Sequence, residues 1–257
     1  MADETGATLS SNMSMKMMAE GLKQSSLTQD VTQSPIFKEV MVNLGDKRTV
    51  LDIGAGVGRY TAPLASAGCK VTAIEPSPEM ISHLRETLAR YEVSEVVNIV
   101  QASWPQDNLK SAEVTLASFV IQFSNDWVGF ARAMEKSATN RCILAVHVDP
   151  IMYFMDKLWP IFHAEEPGPR MPGFTEIYPV LLEAGIIANV KVFEEQHGPR
   201  WKNAEEALPT ISERLGVVGN REAMKQLEDI LEDPTFGIFA TRAHRVAMIS
   251  WKPSTPA

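Results

Sequence analysis

The stretch VLDIGAGVGRY, Val50 to Tyr60, constrains the fold more than any other part of this chain. Val50, Leu51 and Ile53 read as a short buried strand. Gly54, Gly56 and Gly58 then allow a tight turn in which backbone can lie against a ligand without interference from Cβ atoms. From Arg59 the pattern turns helical, through Tyr60, Leu64 and Ala65. The turn therefore leads into a helix N-terminus, with its free N–H groups and the positive end of its dipole. A second apolar run, Lys70 to Ile74, ends at Glu75, whose carboxylate can accept both hydroxyls of a ribose. Strand, glycine turn, helix, strand and acid is the layout of a nucleoside-cofactor site.

The spacing discriminates between cofactors. A dinucleotide fingerprint is G-x-G-x-x-G, and here Arg59 stands where its third glycine belongs. Asp52, two residues before Gly54, would repel a phosphate but suits a cofactor bearing an amine or a sulfonium. On these residues the chain resembles the class I S-adenosylmethionine-dependent methyltransferases, whose first motif is a strand ending D-x-G-x-G-x-G. Glu75 arrives where that family carries its ribose acid. The resemblance runs from about Asp46 to His147 and continues only in outline beyond. It implies S-adenosyl-L-methionine as cofactor, held by Asp52, Gly54, Ala55, Gly56, Gly58 and Glu75. A nicotinamide-dependent oxidoreductase and an unrelated glycine-turn βαβ unit are the alternatives.

Past Glu75 strands and helices continue to alternate, the mark of a mostly parallel sheet. Ser77 to Tyr91 reads as an amphipathic helix with Pro78 in its first turn. Val96–Val100, Glu113–Ser118 and Arg141–Val148 read as strands three to five, with a helix over Asp126–Ser137. Helices follow at Ile151–Phe162 and Thr175–Ala184, the latter stopped by Gly185, and then strand six at Ile186–Glu195. Two more helices, Asn203–Leu215 and Asn220–Glu232, precede a last strand, Ala243–Trp251. The resemblance implies a Rossmann-like, doubly wound α/β sheet of seven strands, helices on both faces and the last strand antiparallel. One domain fills residues 1–257: an N-terminal helical lid over 1–44, a cofactor-binding core over 45–149, and substrate-side helices with the C-terminal strands over 150–257. The lid segment is rich in methionine, and a plain packing helix is the other reading of it.

Other candidates stand at the carboxyl ends of the later strands. In the family, the polar and bulky residues after strand three meet the adenine, which points to Ser103 and Trp104, although many relatives carry an aspartate at the polar position. Strand four ends ASFVIQFSNDW, where the family lines its sulfonium pocket; Ser118 belongs to that wall. Gln122 either faces the cofactor or acceptor or is a satisfied loop amide. The Asn-Pro-Pro-Tyr or Asp-Pro-Pro-Tyr of enzymes that methylate nucleic-acid nitrogens is missing there, so the stretch resembles the small-molecule branch. His147, at the end of the central strand five, is the catalytic candidate, as a base for an acceptor that must lose a proton. Tyr153 and Arg200 are placed on the substrate side, Arg200 to meet an anionic group.

Bulk properties bound the function. A net charge of −8 argues against the basic footprint of a nucleic-acid binder. No apolar run reaches the length of a membrane span, and the N-terminus lacks a signal-peptide layout, so a cytoplasmic enzyme is expected. Cys69 and Cys142 are isolated and read as reduced core thiols. His163, Glu165 and Glu166 lack metal-ligand spacing, so no metal is expected. The sequence thus predicts a methyltransferase acting on a small, apolar or aromatic acceptor, as monomer or homodimer, with no nucleic-acid or membrane partner. A methyltransferase-like protein that binds cofactor without catalysis is the remaining alternative.

Overall fold

The computed structural model describes residues 30–149, 153–164, 168, 171–197, 201–237 and 242–254. Its strands are β1 (Thr49–Ile53), β2 (Lys70–Ile74), β3 (Val97–Val100), β4 (Ala112–Ser118), β5 (Ala138–His147), β6 (Asn189–His197) and β7 (Arg242–Trp251). They form one seven-stranded sheet in the order β3-β2-β1-β4-β5-β7-β6. β1 to β5 run parallel, with Leu51 in register with Thr72 on one side and Thr115 on the other. β7 is antiparallel to both neighbours, pairing Leu144 with Ile249 and Val192 with Ala247. This is the doubly wound α/β sheet expected from the sequence, including the antiparallel last strand.

Helices cover both faces because successive strand residues point to opposite sides. On one face Val50, Val114, Leu116 and Ile143 pack under α1 (Pro35–Val42), α2 (Thr61–Ser66) and α3 (Pro78–Arg90). On the other, Leu51, Ile53 and Leu144 pack under α4 (Trp127–Ser137) and α6 (Phe174–Glu183). A third apolar cluster lies apart from the sheet. Met155 and Leu158 of α5 (Tyr153–His163) join Ile211 and Leu215 of α7 (Ala204–Leu215) and Leu227 and Leu231 of α8 (Arg221–Glu232). These three helices arise from the β5–β6 and β6–β7 connections and share a core of their own. Among the described residues no helix is long and apolar enough to cross a membrane.

Several boundaries differ from those read in the sequence, each for a local reason. The helix after the glycine turn begins at Thr61 rather than Arg59 and has only six residues. β5 starts at Ala138, where it pairs with Ala112 before a register shift. Ile186 is not in β6: its N–H donates to Leu181 O, and its buried side chain caps α6 after Gly185, whose φ is +80°. Within the expected N-terminal lid, α1 buries Ile36, Phe37 and Val40 against the sheet, as a packing helix does. The segment before Asp30 lies outside the described residues.

Candidate active site

The turn after β1 is tied to the end of β2. Gly54 and Ala55 N–H both donate to Ile74 O, at 2.8 and 3.0 Å. Gly56 N–H donates to Glu75 Oε2 at 2.9 Å, and Ser77 N–H to Glu75 Oε1 at 3.0 Å. The first three N–H groups of the turn are therefore engaged, and a carboxylate stands where a pyrophosphate would need donors. The glycines divide by role. A Cβ at Gly54 would lie 2.5 Å from Val120 Cγ2, and one at Gly58 2.6 Å from Leu84 Cδ1, so both positions are glycine to let neighbours pack. At Gly56, whose φ is +56°, a Cβ would meet nothing within 4 Å. Gly56 faces open space above Glu75.

Two acids lie beneath this turn. Glu75 is buried, and burial raises its pKa while the N–H groups of Ser77 and Gly56 pull it back down. Asp52 is more deeply buried, and Thr61 Oγ1 donates to its Oδ2 at 2.5 Å. Burial pushes its carboxyl up to about 6, opposed by the Thr61 hydrogen bond and assisted by the charge of Glu75. The short α2 therefore anchors its first residue to the floor of the turn.

The remaining predicted residues fall at the same carboxyl end of the sheet. Ser103 is exposed. Trp104 is half-buried, its Nε1 donating to Phe130 O at 3.2 Å and its ring edge-on to Phe130. Ser118 ends β4, half-buried. Gln122 is buried: its Nε2 donates to Phe119 O at 2.8 Å, and its Oε1 finds no partner among the described residues. His147 ends β5 with its ring stacked on Phe119, centroids 4.3 Å apart. The side chain of Tyr153 and all of Arg200 lie outside the described residues. Among the described residues no group of three or more His, Cys, Asp or Glu side chains could hold a metal ion.

Three residues join this constellation without having been read as site residues. Phe119 adopts φ +57°, unusual for a side chain of its size, and its N–H donates to Ala145 O at 2.9 Å. Arg59, noted in the sequence only for its place in the glycine motif, sets its guanidinium carbon 5.5 Å from the Tyr60 ring centroid and 5.8 Å from that of Phe119. Glu195 of β6 accepts from Arg59 Nη2 at 2.9 Å. Only Arg59 had a local signal, as the cation in a glycine's place; Glu195 lies 136 residues away.

A family model described as a methyltransferase domain matches residues 51–144. Over those residues the chain is similar to a methyltransferase domain. The strand order found here matches the methyltransferase topology. The ribosomal RNA small subunit methyltransferase J of Desulfotalea psychrophila is 38% identical over 72 residues, 28% of either chain. The match thus spans little more than a quarter of that enzyme's length. An uncharacterized protein of Haemophilus influenzae is 26% identical over 211 residues, covering 80% of this chain and 74% of its own. Among solved structures, the magnesium protoporphyrin IX methyltransferase of Synechocystis PCC 6803 with bound SAH superposes with a TM-score of 0.52 at 14% identity. That likeness covers 89% of this chain and 83% of the other, and it is a likeness of fold.

Proposed function

We propose that the protein is an S-adenosylmethionine-dependent methyltransferase whose acceptor is a small molecule with an apolar or aromatic body. The observation that carries this reading is the pairing of Gly56 with Glu75. Gly56 alone among the turn glycines opens to empty space, and the acid beneath it already takes its N–H. Such a turn suits a ligand with hydroxyls and a positive charge, and disfavours one with phosphates. The alternative nicotinamide cofactor, with its pyrophosphate, fits poorly against two carboxylates and three engaged N–H groups.

In this reading Glu75 holds the ribose hydroxyls with its remaining lone pairs. The backbone of Gly54, Ala55, Gly56 and Gly58 lies along the donor, and Asp52 supplies negative potential below it. Ser103 and Trp104 border the adenine, and Ser118 borders the sulfonium. The donor supplies an activated methyl group for in-line displacement. The chain's own part is to align the acceptor and keep water away. His147 takes a proton from an acceptor hydroxyl or thiol, while Gln122, Tyr153 and Arg200 line the acceptor side. The charge of −8 favours a small acceptor over ribosomal RNA, the substrate in the printed names of four short matches.

Calorimetric titration with S-adenosylhomocysteine and with NAD tests the cofactor. Binding of the first and not the second is expected; the reverse would overturn the assignment. Transfer of a labelled methyl group into a small-molecule extract but not into ribosomal RNA is expected next. Label in RNA alone would overturn the acceptor class, and label in neither would leave a cofactor-binding protein without catalysis.

A further inference from the structure

We infer that the acceptor carries an anionic group that Arg59 receives in place of Glu195, over the aromatic platform of Phe119 and His147. The inference rests on the methyltransferase reading for the nature of the site, and names the acceptor's charge.

Four groups from four separate parts of the chain meet here: Arg59 from the glycine turn, Phe119 after β4, His147 from β5 and Glu195 from β6. Side-chain exposure is only 21% for Arg59 and 10% for Glu195. A guanidinium so far out of water needs an anion beside it, and Glu195 supplies one. The rings of Tyr60 and Phe119 add cation–π attraction and fix the guanidinium in place. A planar, oriented guanidinium is the protein group best matched to a carboxylate or similar flat anion.

The platform is also held deliberately. Phe119 keeps its positive φ because its N–H is bound by Ala145 O and its carbonyl by Gln122 Nε2. Backbone strain that is over-determined in this way collects at functional sites. It sets the Phe119 ring 5.8 Å from the Arg59 guanidinium carbon and stacks it on His147 with 26° between the ring planes, so that the cation and the two rings form one group. Charge gives a further reason. On the proposed reading a cationic donor binds beside the glycine turn that Arg59 ends, which adds to the need for an anion at the arginine throughout. Glu195 does so before the acceptor arrives, and the acceptor's own anion does so afterwards.

The test uses the full-length protein saturated with S-adenosylhomocysteine, titrated with benzoate and with its neutral isostere benzamide. Failure of wild type to bind S-adenosylhomocysteine would count against the proposed function and is read before any benzoate is added. Removing the resident carboxylate with Glu195→Gln should tighten benzoate about tenfold and leave benzamide within about twofold. Arg59→Met should abolish the preference for benzoate. Should Arg59→Met fail to fold, Glu195→Gln decides alone, since it keeps the shape of the pair. Equal affinity for benzoate and benzamide in wild type and in Glu195→Gln would overturn the inference and make the pair a strap between the turn and β6.

Discussion

Asp52 carries a charge that the fold resists. Its carboxyl retains a proton in the folded chain up to about pH 6, against 3.8 for an ordinary aspartate. A raised carboxyl pKa means that folding is unpenalised below about pH 4 and loses stability as pH climbs through the window to about 6. Above that window the cost is constant at roughly 2–3 kcal/mol. Asp52→Asn removes the charge and keeps an oxygen to accept from Thr61. The donor-free variant should therefore melt above wild type at pH 7.5 and level with it at pH 4; a difference independent of pH would place this titration elsewhere. Glu75, also raised by burial, is tested through the ribose role proposed for it. Glu75→Ala should cost about 1.5–3 kcal/mol of S-adenosylhomocysteine affinity, or roughly ten- to a hundredfold, in a folded protein. Unchanged calorimetric affinity would put the ribose at another residue. For an acceptor that must lose a proton, His147→Ala should slow turnover about 10²–10⁴-fold and leave donor affinity alone. A loss below about tenfold would reduce the imidazole to a stacking partner of Phe119.

At the scale of elements, the glycine turn separates packing from binding. Gly54→Ala places a methyl 2.5 Å from Val120 and should destabilise the fold, with reduced thermal midpoint. For Gly56→Val the added Cβ meets nothing within 4 Å, so its folding cost is mainly that of a positive φ on a β-branched residue, at least about 1–2 kcal/mol. Its S-adenosylhomocysteine binding should nevertheless vanish. Retained affinity would mean that the open space over Gly56 is not the ligand's. The turn, Glu75 and the strand-helix alternation were legible in the sequence because each depends on neighbours a few residues away. Ser77, Asp126, Asn203 and Asn220 cap the four helices they were read to open, since an N-cap is a local bond. The Arg59–Glu195 pair was not legible, because it depends on where β6 lands. Nor was the strain at Phe119, which arises from Ala145 on the neighbouring strand and Gln122 in the following turn. The depth of Asp52 escaped for a similar reason: its motif suggests a ligand group, whereas Thr61 closes over it.

At the scale of the whole sheet, β7 lies between β5 and β6, and among the described residues it is the only strand that β6 pairs with. β1, β2 and β4, by contrast, join through parallel crossovers within the first half of the chain. During refolding, pulse-labelled amides of β1, β2 and β4 should gain protection before those of β6. Simultaneous protection would show that the sheet closes as one unit. The same wiring sets a timetable during synthesis. A ribosome adding about 5–20 residues per second spends several seconds between His197 and Trp251. Throughout that interval the nascent chain can already hold Glu75 under Gly56, while Glu195 has no sheet position from which to reach Arg59. The part of the candidate site built around the glycines is thus born first, and the part that meets β6 is born last.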